Sequence, residues 1–101
     1  MLFNMTIGVD LGGSNVRAGL VENGIIIHQQ SKALEQKDSL SATLGQLIDL
    51  IQALINPTVT SIGIGVPSVV DMERGIVYNV ANIPSWEEVA LRDILAEWIS
   101  P

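Results

Sequence analysis

Residues 10–15 near the start of the chain hold the side chains best suited to bind a charged ligand. Asp10 ends a short apolar stretch, and Gly12, Gly13, Ser14 and Asn15 follow it closely. Glycines let backbone N–H groups converge on an anion because no Cβ is in the way, and a nearby carboxylate can hold Mg²⁺ directly or through water. The spacing therefore fits a phosphate-binding turn. The alternative is a glycine hairpin in which the polar side chains only satisfy the turn backbone.

Two well-known nucleotide-binding motifs do not fit this turn. A Walker loop needs a lysine before its serine, and Gly13 stands at that position. The dinucleotide fingerprint needs a helix after its glycines, whereas residues 16–21 have the pattern of a strand.

A second block with chemical potential spans residues 63–68. Gly63 and Gly65 alternate with apolar residues in a strand that ends at Pro67 and Ser68. There the backbone and a hydroxyl can meet a polar ligand. The alternative is a strand that packs closely against its neighbours and then turns.

A third block, residues 79–86, places Asn79 and Asn82 in a loop. Their amides can hydrogen-bond sugar hydroxyls, or they can stabilise the backbone of the loop itself. We expect Trp86 to pack under a final helix rather than to serve as a stacking platform.

The elements that carry these blocks follow from hydrophobic patterning. Residues 6–10, 16–21 and 24–28 are short, β-branched and apolar, which predicts three strands in a meander. Asn23 and Gly24 between the last two predict a type I′ turn, since both central positions of that turn need positive φ.

The rest of the chain alternates helix and strand. Apolar residues spaced by three and four over residues 40–55 predict a helix that Ser39 caps and Pro57 stops. A strand over 58–66 and a small hairpin over 69–78, turning at 73–75, come next. Ser85 and Glu88 form a capping box, which predicts that a last helix begins there.

The order β-β-β-α-β, with a small hairpin and a C-terminal helix, predicts one α/β domain over residues 1–101. The strand after the helix should lie parallel to a strand of the meander, which gives a mixed sheet. We expect one flank of this sheet to expose apolar surface, and therefore expect self-association or a homodimer.

Composition excludes several classes of function. The 101 residues contain 5 basic and 11 acidic side chains, a net charge of −6, which disfavours nucleic acids and anionic membranes as partners. There is no cysteine, and His28 alone cannot build a histidine metal site. No apolar run approaches the roughly 20 residues of a membrane span, and Asn4 interrupts any secretory leader, so we expect a cytoplasmic protein.

Three blocks, residues 7–19, 63–71 and 75–86, resemble the ROK family (repressor, ORF, kinase) in both order and spacing. The resemblance runs from about Ile7 to Ile99. It implies an actin-like ATPase fold, also described as ribonuclease-H-like, and ATP-dependent phosphorylation of a sugar hydroxyl in a cleft between two lobes. Together the ordered blocks favour the ligand-binding interpretations over the purely structural ones.

The resemblance also implies roles for individual residues. Asp10 would help to place Mg²⁺, and the ATP phosphates would lie against Gly12, Gly13, Ser14 and Asn15. The sugar side would be formed by Gly65, Pro67, Ser68 and Asn82. Family members usually have glycine where this chain has Ser68, and more often threonine where it has Ser14.

The family's remaining machinery is expected beyond Pro101. This includes the general-base aspartate of an Asn-Asp motif, a zinc site of His and Cys, and the adenosine-binding lobe. The chain is therefore expected to be the N-terminal lobe of a hexose or N-acetylhexosamine kinase and to be inactive alone. The alternatives are a ROK transcriptional regulator, disfavoured by the nine residues before Asp10 and by the charge, and a sugar-sensing module.

Overall fold

The computed structural model describes residues 4–99, which form seven strands and two helices. In chain order the elements are β1 (Met5–Leu11), β2 (Asn15–Glu22), β3 (Ile25–Ala33), α1 (Leu40–Gln52), β4 (Val59–Gly65), β5 (Val69–Asp71), β6 (Ile76–Tyr78), β7 (Glu88–Val89) and α2 (Leu91–Trp98). They build a four-stranded mixed sheet in the order β3-β2-β1-β4 and a three-stranded antiparallel sheet in the order β5-β6-β7.

The predicted meander and parallel strand are both confirmed. β1 pairs antiparallel with β2, β2 pairs antiparallel with β3, and β4 joins β1 in parallel through the α1 crossover. Asn23 and Gly24 have φ of 52° and 77°, as a type I′ turn requires. β3 continues to Ala33, five residues past its predicted end, because its pairing with β2 extends to Asn15.

The alternation of side chains along β1 gives the large sheet one buried face and one open face. Ile7, Val9 and Leu11 are almost fully buried in the core, where α1 covers them. Gly8 and Asp10 point to the opposite face because successive strand residues alternate. The site residue Asp10 is therefore exposed while its neighbours in sequence stabilise the fold.

Helix α1 begins where the sequence predicts and ends slightly earlier. The Ser39 side chain accepts a hydrogen bond from the Ala42 amide, which confirms the predicted cap. The helix ends at Gln52 rather than at residue 55. The Ile55 amide still donates to the Ile51 carbonyl at 3.1 Å, so a hydrogen-bonded turn continues the helix to the predicted stop.

The predicted start of the last helix at Ser85 is wrong. Helix α2 begins at Leu91, after an N-cap position at Ala90 that makes no side-chain capping bond. Residues 88–89 instead form β7, in which Val89 pairs with Val77 and is 2% exposed. Burying an aliphatic side chain stabilises by about 1.5–3 kcal/mol, against about 0.5–2 kcal/mol for a cap, so tertiary pairing outweighs the local capping signal.

Trp86 makes its polar contact with the first helix, a partner that the sequence did not indicate. Trp86 is fully buried, and its indole Nε1–H donates to the hydroxyl of Thr43 on α1, the first helix, at 2.6 Å. Thr43 in turn donates to the carbonyl oxygen of Ser39 at 2.9 Å. The hydrogen bond between Trp86 and Thr43 connects the loop before β7 to α1, the helix that covers the large sheet.

Within residues 4–99, neither helix has the length and apolar character that crossing a bilayer requires.

Candidate functional site

Residues 12–15, predicted to bind phosphate, lie at the tip of the β1–β2 hairpin, which we call the phosphate turn after that prediction. The Gly12 amide donates to the Asn15 carbonyl oxygen at 2.8 Å, which closes the turn. The Leu34 amide donates to the Ser14 carbonyl oxygen at 2.8 Å, which ties the tip to the end of β3. Ser14 and Asn15 are exposed, so their polar side chains are accessible to a ligand.

Asp10 lies in a row of residues that crosses three strands. Strand pairing places it beside Arg17 on β2 and beside Gly65 on β4. Arg17 and Asp10 form no ion pair within 4.0 Å. The ion pairs found among residues 4–99 involve other side chains. Because Gly65 has no side chain and Asp10 is exposed, the Asp10 carboxylate is open on this face of the sheet.

A groove of about 430 Å³ opens beside Asp10 on the face of the sheet opposite the core. Gly8, Gly19 and Gly63 are in register across β2, β1 and β4 and line its floor. A Cβ at Gly8 or Gly63 would meet no atom within 4 Å, which confirms that the groove is open there.

The phosphate turn directly contacts residues 79–82 of the third block, which we call the asparagine loop. A Cβ built on Gly13 would lie 2.7 Å from the Asn82 Cβ and 2.8 Å from its Nδ2, closer than any side chain tolerates. Asn82 itself has a φ of 63°, in the left-handed region where asparagine is favoured among non-glycine residues. The first and third sequence blocks, nearly 70 residues apart, therefore meet at this contact.

The second block reaches the same place through the backbone. The Ala81 amide donates to the Pro67 carbonyl oxygen at 3.4 Å, which joins the asparagine loop to the turn after β4. Ser68 is half-buried there, and its hydroxyl donates to the Val69 carbonyl oxygen at 3.4 Å. The structure thus brings together all three blocks that the sequence singled out.

Asn79, the other asparagine of the third block, has a different place. It has a φ of 49°, and its amide donates to the Glu87 carbonyl oxygen at 2.9 Å. That backbone bond helps to close the loop that leads into β7. The structural alternative considered for the asparagines therefore fits Asn79, while Asn82 lies against the phosphate turn.

Asp10 fits a magnesium ion that arrives with a nucleotide. Within residues 4–99 there is no group of three or more His, Cys, Asp or Glu side chains placed to hold a metal ion. Magnesium bound with phosphates needs only one or two carboxylates, because phosphate oxygens and water supply its other ligands. A single exposed carboxylate beside a glycine turn is the donor set that such a complex uses.

Sequence reasoning missed one residue of this site, Lys37. It lies in the loop between β3 and α1, and its ammonium donates to the Gly13 carbonyl oxygen at 3.0 Å. Its own carbonyl oxygen accepts a hydrogen bond from the Ser85 hydroxyl at 2.8 Å. No local pattern marks Lys37, because its partners lie 24 and 48 positions away along the chain.

A second cavity, larger than the groove beside Asp10, lies away from this site. It measures about 810 Å³ and runs along the outer edge of β4, between that strand and α2. Its lining is mainly aliphatic and includes Ile62, Ile64, Leu91 and Leu95. None of the predicted site residues lines this cavity, which we call the apolar groove.

Comparison with known proteins gives a consistent result. Residues 6–100 match the sequence profile of the ROK family. The chain is 32% identical over 93 residues to the glucokinase of Thermotoga maritima, which covers 90% of this chain and 29% of that protein. The chain therefore spans less than a third of the length of this curated relative.

Solved structures agree on the fold. A ROK family glucokinase from Streptomyces griseus, in complex with glucose and AMPPNP, has a TM-score of 0.80 and 27% identity, covering 93% of this chain and 30% of that one. A ROK family transcriptional regulator, a homologue of the E. coli MLC protein, has a TM-score of 0.80 and 22% identity, covering 93% and 25%. The expected actin-like fold is confirmed by these likenesses.

Proposed function

The chain belongs to the ROK family, and on that premise we propose that it is the phosphate- and sugar-binding lobe of an ATP-dependent sugar kinase. The complete protein would phosphorylate a hydroxyl of a hexose or an N-acetylhexosamine in the cytoplasm. The observation that carries this proposal is the contact between Gly13 and Asn82. Phosphoryl transfer requires donor and acceptor to lie side by side, so the proximity of a residue proposed for the nucleotide to one proposed for the sugar supports this function.

On the nucleotide side, the hairpin tip supplies hydrogen-bond donors for the ATP phosphates. The backbone at Gly12 and Gly13 can approach an anion closely, and the exposed Ser14 and Asn15 side chains add hydroxyl and amide groups. Asp10 would hold Mg²⁺, directly or through water. When bound, the ion neutralises part of the phosphate charge during transfer. The Streptomyces griseus relative, solved with AMPPNP, supports this assignment.

On the sugar side, the proposed ligands are Asn82 and the turn after β4. The Asn82 amide carries two donors and an acceptor, which suits a ring of hydroxyls, and its side chain is exposed. Gly65 leaves space beside Asp10, and Pro67 and Ser68 form the adjoining wall. The Ser68 hydroxyl would contact the sugar or reduce the space for it.

The transfer step itself needs a base to accept the proton of the sugar hydroxyl as its oxygen attacks the γ-phosphorus and ADP leaves. None of the proposed binding residues is assigned that task. We propose that an aspartate beyond Pro101 supplies it in the complete protein. We therefore expect the 101-residue chain alone to show no kinase activity with Mg-ATP and any hexose, and measurable turnover would contradict this.

The direct test is to express the complete gene product that contains this chain and to follow ADP release. The assay would supply Mg-ATP with a panel of hexoses and N-acetylhexosamines. Sugar-dependent ADP release is the expected result, and the preferred sugar would identify the substrate. A folded protein that releases no ADP with any sugar would contradict the kinase assignment.

The competing function is a ROK transcriptional regulator or a sugar-sensing module without catalysis. The regulator of known structure has the same fold in this region, so the fold alone does not separate the two functions. Calorimetric binding of a sugar without ADP release would favour the alternatives. Tight binding to a specific DNA sequence would then separate the regulator from the sensor.

A further inference from the structure

Lys37 connects two loops that the sequence places far apart. Its ammonium donates to the carbonyl oxygen of Gly13 in the phosphate turn at 3.0 Å. Its backbone carbonyl accepts the Ser85 hydroxyl at 2.8 Å, just after the asparagine loop. Lys37 is half-buried, which favours a defined side-chain position over the freely solvated one of a typical surface lysine.

These contacts form a closed circuit around the proposed binding site. Starting from Lys37, the circuit passes to Gly13, across the tight contact to Asn82, along the chain to Ser85, and back to Lys37. A hydrogen bond with a charged donor is about twice as strong as a neutral one, so the Lys37 ammonium is the strongest link between side chain and backbone in this circuit. Its positive charge also lies next to the turn proposed for nucleotide phosphates.

We propose that Lys37 is a positioning residue that holds the phosphate turn at a fixed distance from the sugar-side loop. This inference rests on the proposed kinase function and adds a residue to it. The lysine would keep the Gly13 peptide oriented so that the amides of the turn face the phosphates. Without it, the turn would have to be ordered at the moment of binding, and nucleotide affinity would fall.

The test compares Lys37→Met with Lys37→Arg and with the matched control Lys32→Met in the complete gene product. Lys32 is exposed on β3 and makes none of the contacts of the circuit, so its replacement removes the same charge and leaves those contacts intact. The readout is the Kd for Mg-AMPPNP by calorimetry. We expect Lys37→Met to weaken binding about tenfold, Lys37→Arg to restore most of the affinity, and Lys32→Met to match wild type.

The thermal unfolding midpoint separates positioning from a purely structural role. A structural role would lower the midpoint and leave the Kd of the folded protein unchanged, and that result would overturn the inference. Ser85→Ala provides a second route if Lys37→Met does not fold. It releases only the backbone end of the circuit, and we expect it to weaken Mg-AMPPNP binding about threefold. An unchanged Kd for Ser85→Ala in that case would also overturn the inference.

Wild-type behaviour distinguishes this inference from the proposed function. If the wild-type protein does not bind Mg-AMPPNP, both the kinase assignment and the role of Lys37 are overturned. If wild type binds and Lys37→Met binds equally well, only the role of Lys37 is overturned.

Discussion

A methyl group added at Gly13 would disrupt the contact between the phosphate turn and the asparagine loop. A Cβ there would approach the Asn82 side chain to 2.7 Å, so either the hairpin tip or the asparagine loop would have to move. Crowding of this kind costs about 1–3 kcal/mol. We therefore expect Gly13→Ala to lower the free energy of unfolding by that amount, measured by urea denaturation, and to weaken sugar and nucleotide binding together.

Gly8→Ala is the matched control for Gly13→Ala. Gly8 lies on β1 and Gly13 in the turn that follows it, but a Cβ at Gly8 would meet no atom within 4 Å. We expect its stability to stay within about 0.5 kcal/mol of wild type. Equal destabilisation by the two variants would mean that the contact with Asn82 is not the reason why a side chain at position 13 is unfavourable.

Asp10 offers a test of the charge that the site supplies. Its carboxylate is exposed and makes no ion pair within residues 4–99, so the fold does not depend on it. We expect Asp10→Asn in the complete protein to leave the unfolding midpoint unchanged and to lower kcat/KM for Mg-ATP roughly a hundredfold, as loss of a key electrostatic group commonly does.

Asp49→Asn controls for the general loss of a negative charge. Asp49 is exposed on α1, on the other side of the large sheet. In steady-state kinetics we expect Asp49→Asn to have the same kcat/KM for Mg-ATP as the wild type. If Asp10→Asn were as active as Asp49→Asn, the proposed role of Asp10 in placing magnesium would be wrong.

At the scale of elements, the bond between Trp86 and Thr43 links the loop before β7 to helix α1. It lies inside the core, where an unmade hydrogen bond is costly. We expect Trp86→Phe to destabilise the protein by about 1–2 kcal/mol, measured by urea unfolding with far-ultraviolet circular dichroism.

Trp98→Phe is the appropriate control, because Trp98 is 62% exposed at the end of α2. It should change stability by less than about 0.5 kcal/mol. It also leaves Trp86 as the sole tryptophan, whose fluorescence then reports directly on this part of the core. Similar losses for both tryptophan variants would argue against the Thr43 bond as the cause.

At the scale of the whole molecule, the apolar groove along β4 offers a surface for association. Strand β4 has a neighbour on one side only within the described chain, and the groove beside it measures about 810 Å³. Unpaired strand edges and large apolar surfaces promote association. We expect the 101-residue chain to show a mass in light scattering that rises with concentration.

Two charge substitutions locate this association. Ile55 lines the groove and is 43% exposed, whereas Ile25 is 65% exposed on β3 at the other edge of the sheet. We expect Ile55→Lys to reduce association and Ile25→Lys to leave it unchanged. A strictly monomeric wild-type chain at high concentration would contradict the expectation, and a larger effect of Ile25→Lys would place the contact on β3 instead.

The sequence by itself determined the elements whose patterns are local. Short β-branched, apolar stretches specified β1 and β2, the Asn23-Gly24 pair specified the turn between β2 and β3, and a stripe of aliphatic residues specified α1. These predictions succeeded because each depends on contacts between residues close in the chain. The resemblance to the ROK family then supplied the order of the blocks and the residues of the candidate site.

Only the tertiary structure decided the features that depend on distant partners. Ser85 begins no helix, because Val89 is buried by pairing with Val77. Trp86 and Lys37 likewise have partners 43 and 24 residues away, which no local pattern records. Burial of Val89 together with its strand pairing outweighs the local capping signal, so the packed fold determined where α2 begins, and long-range hydrogen bonds determined which residues meet at the site.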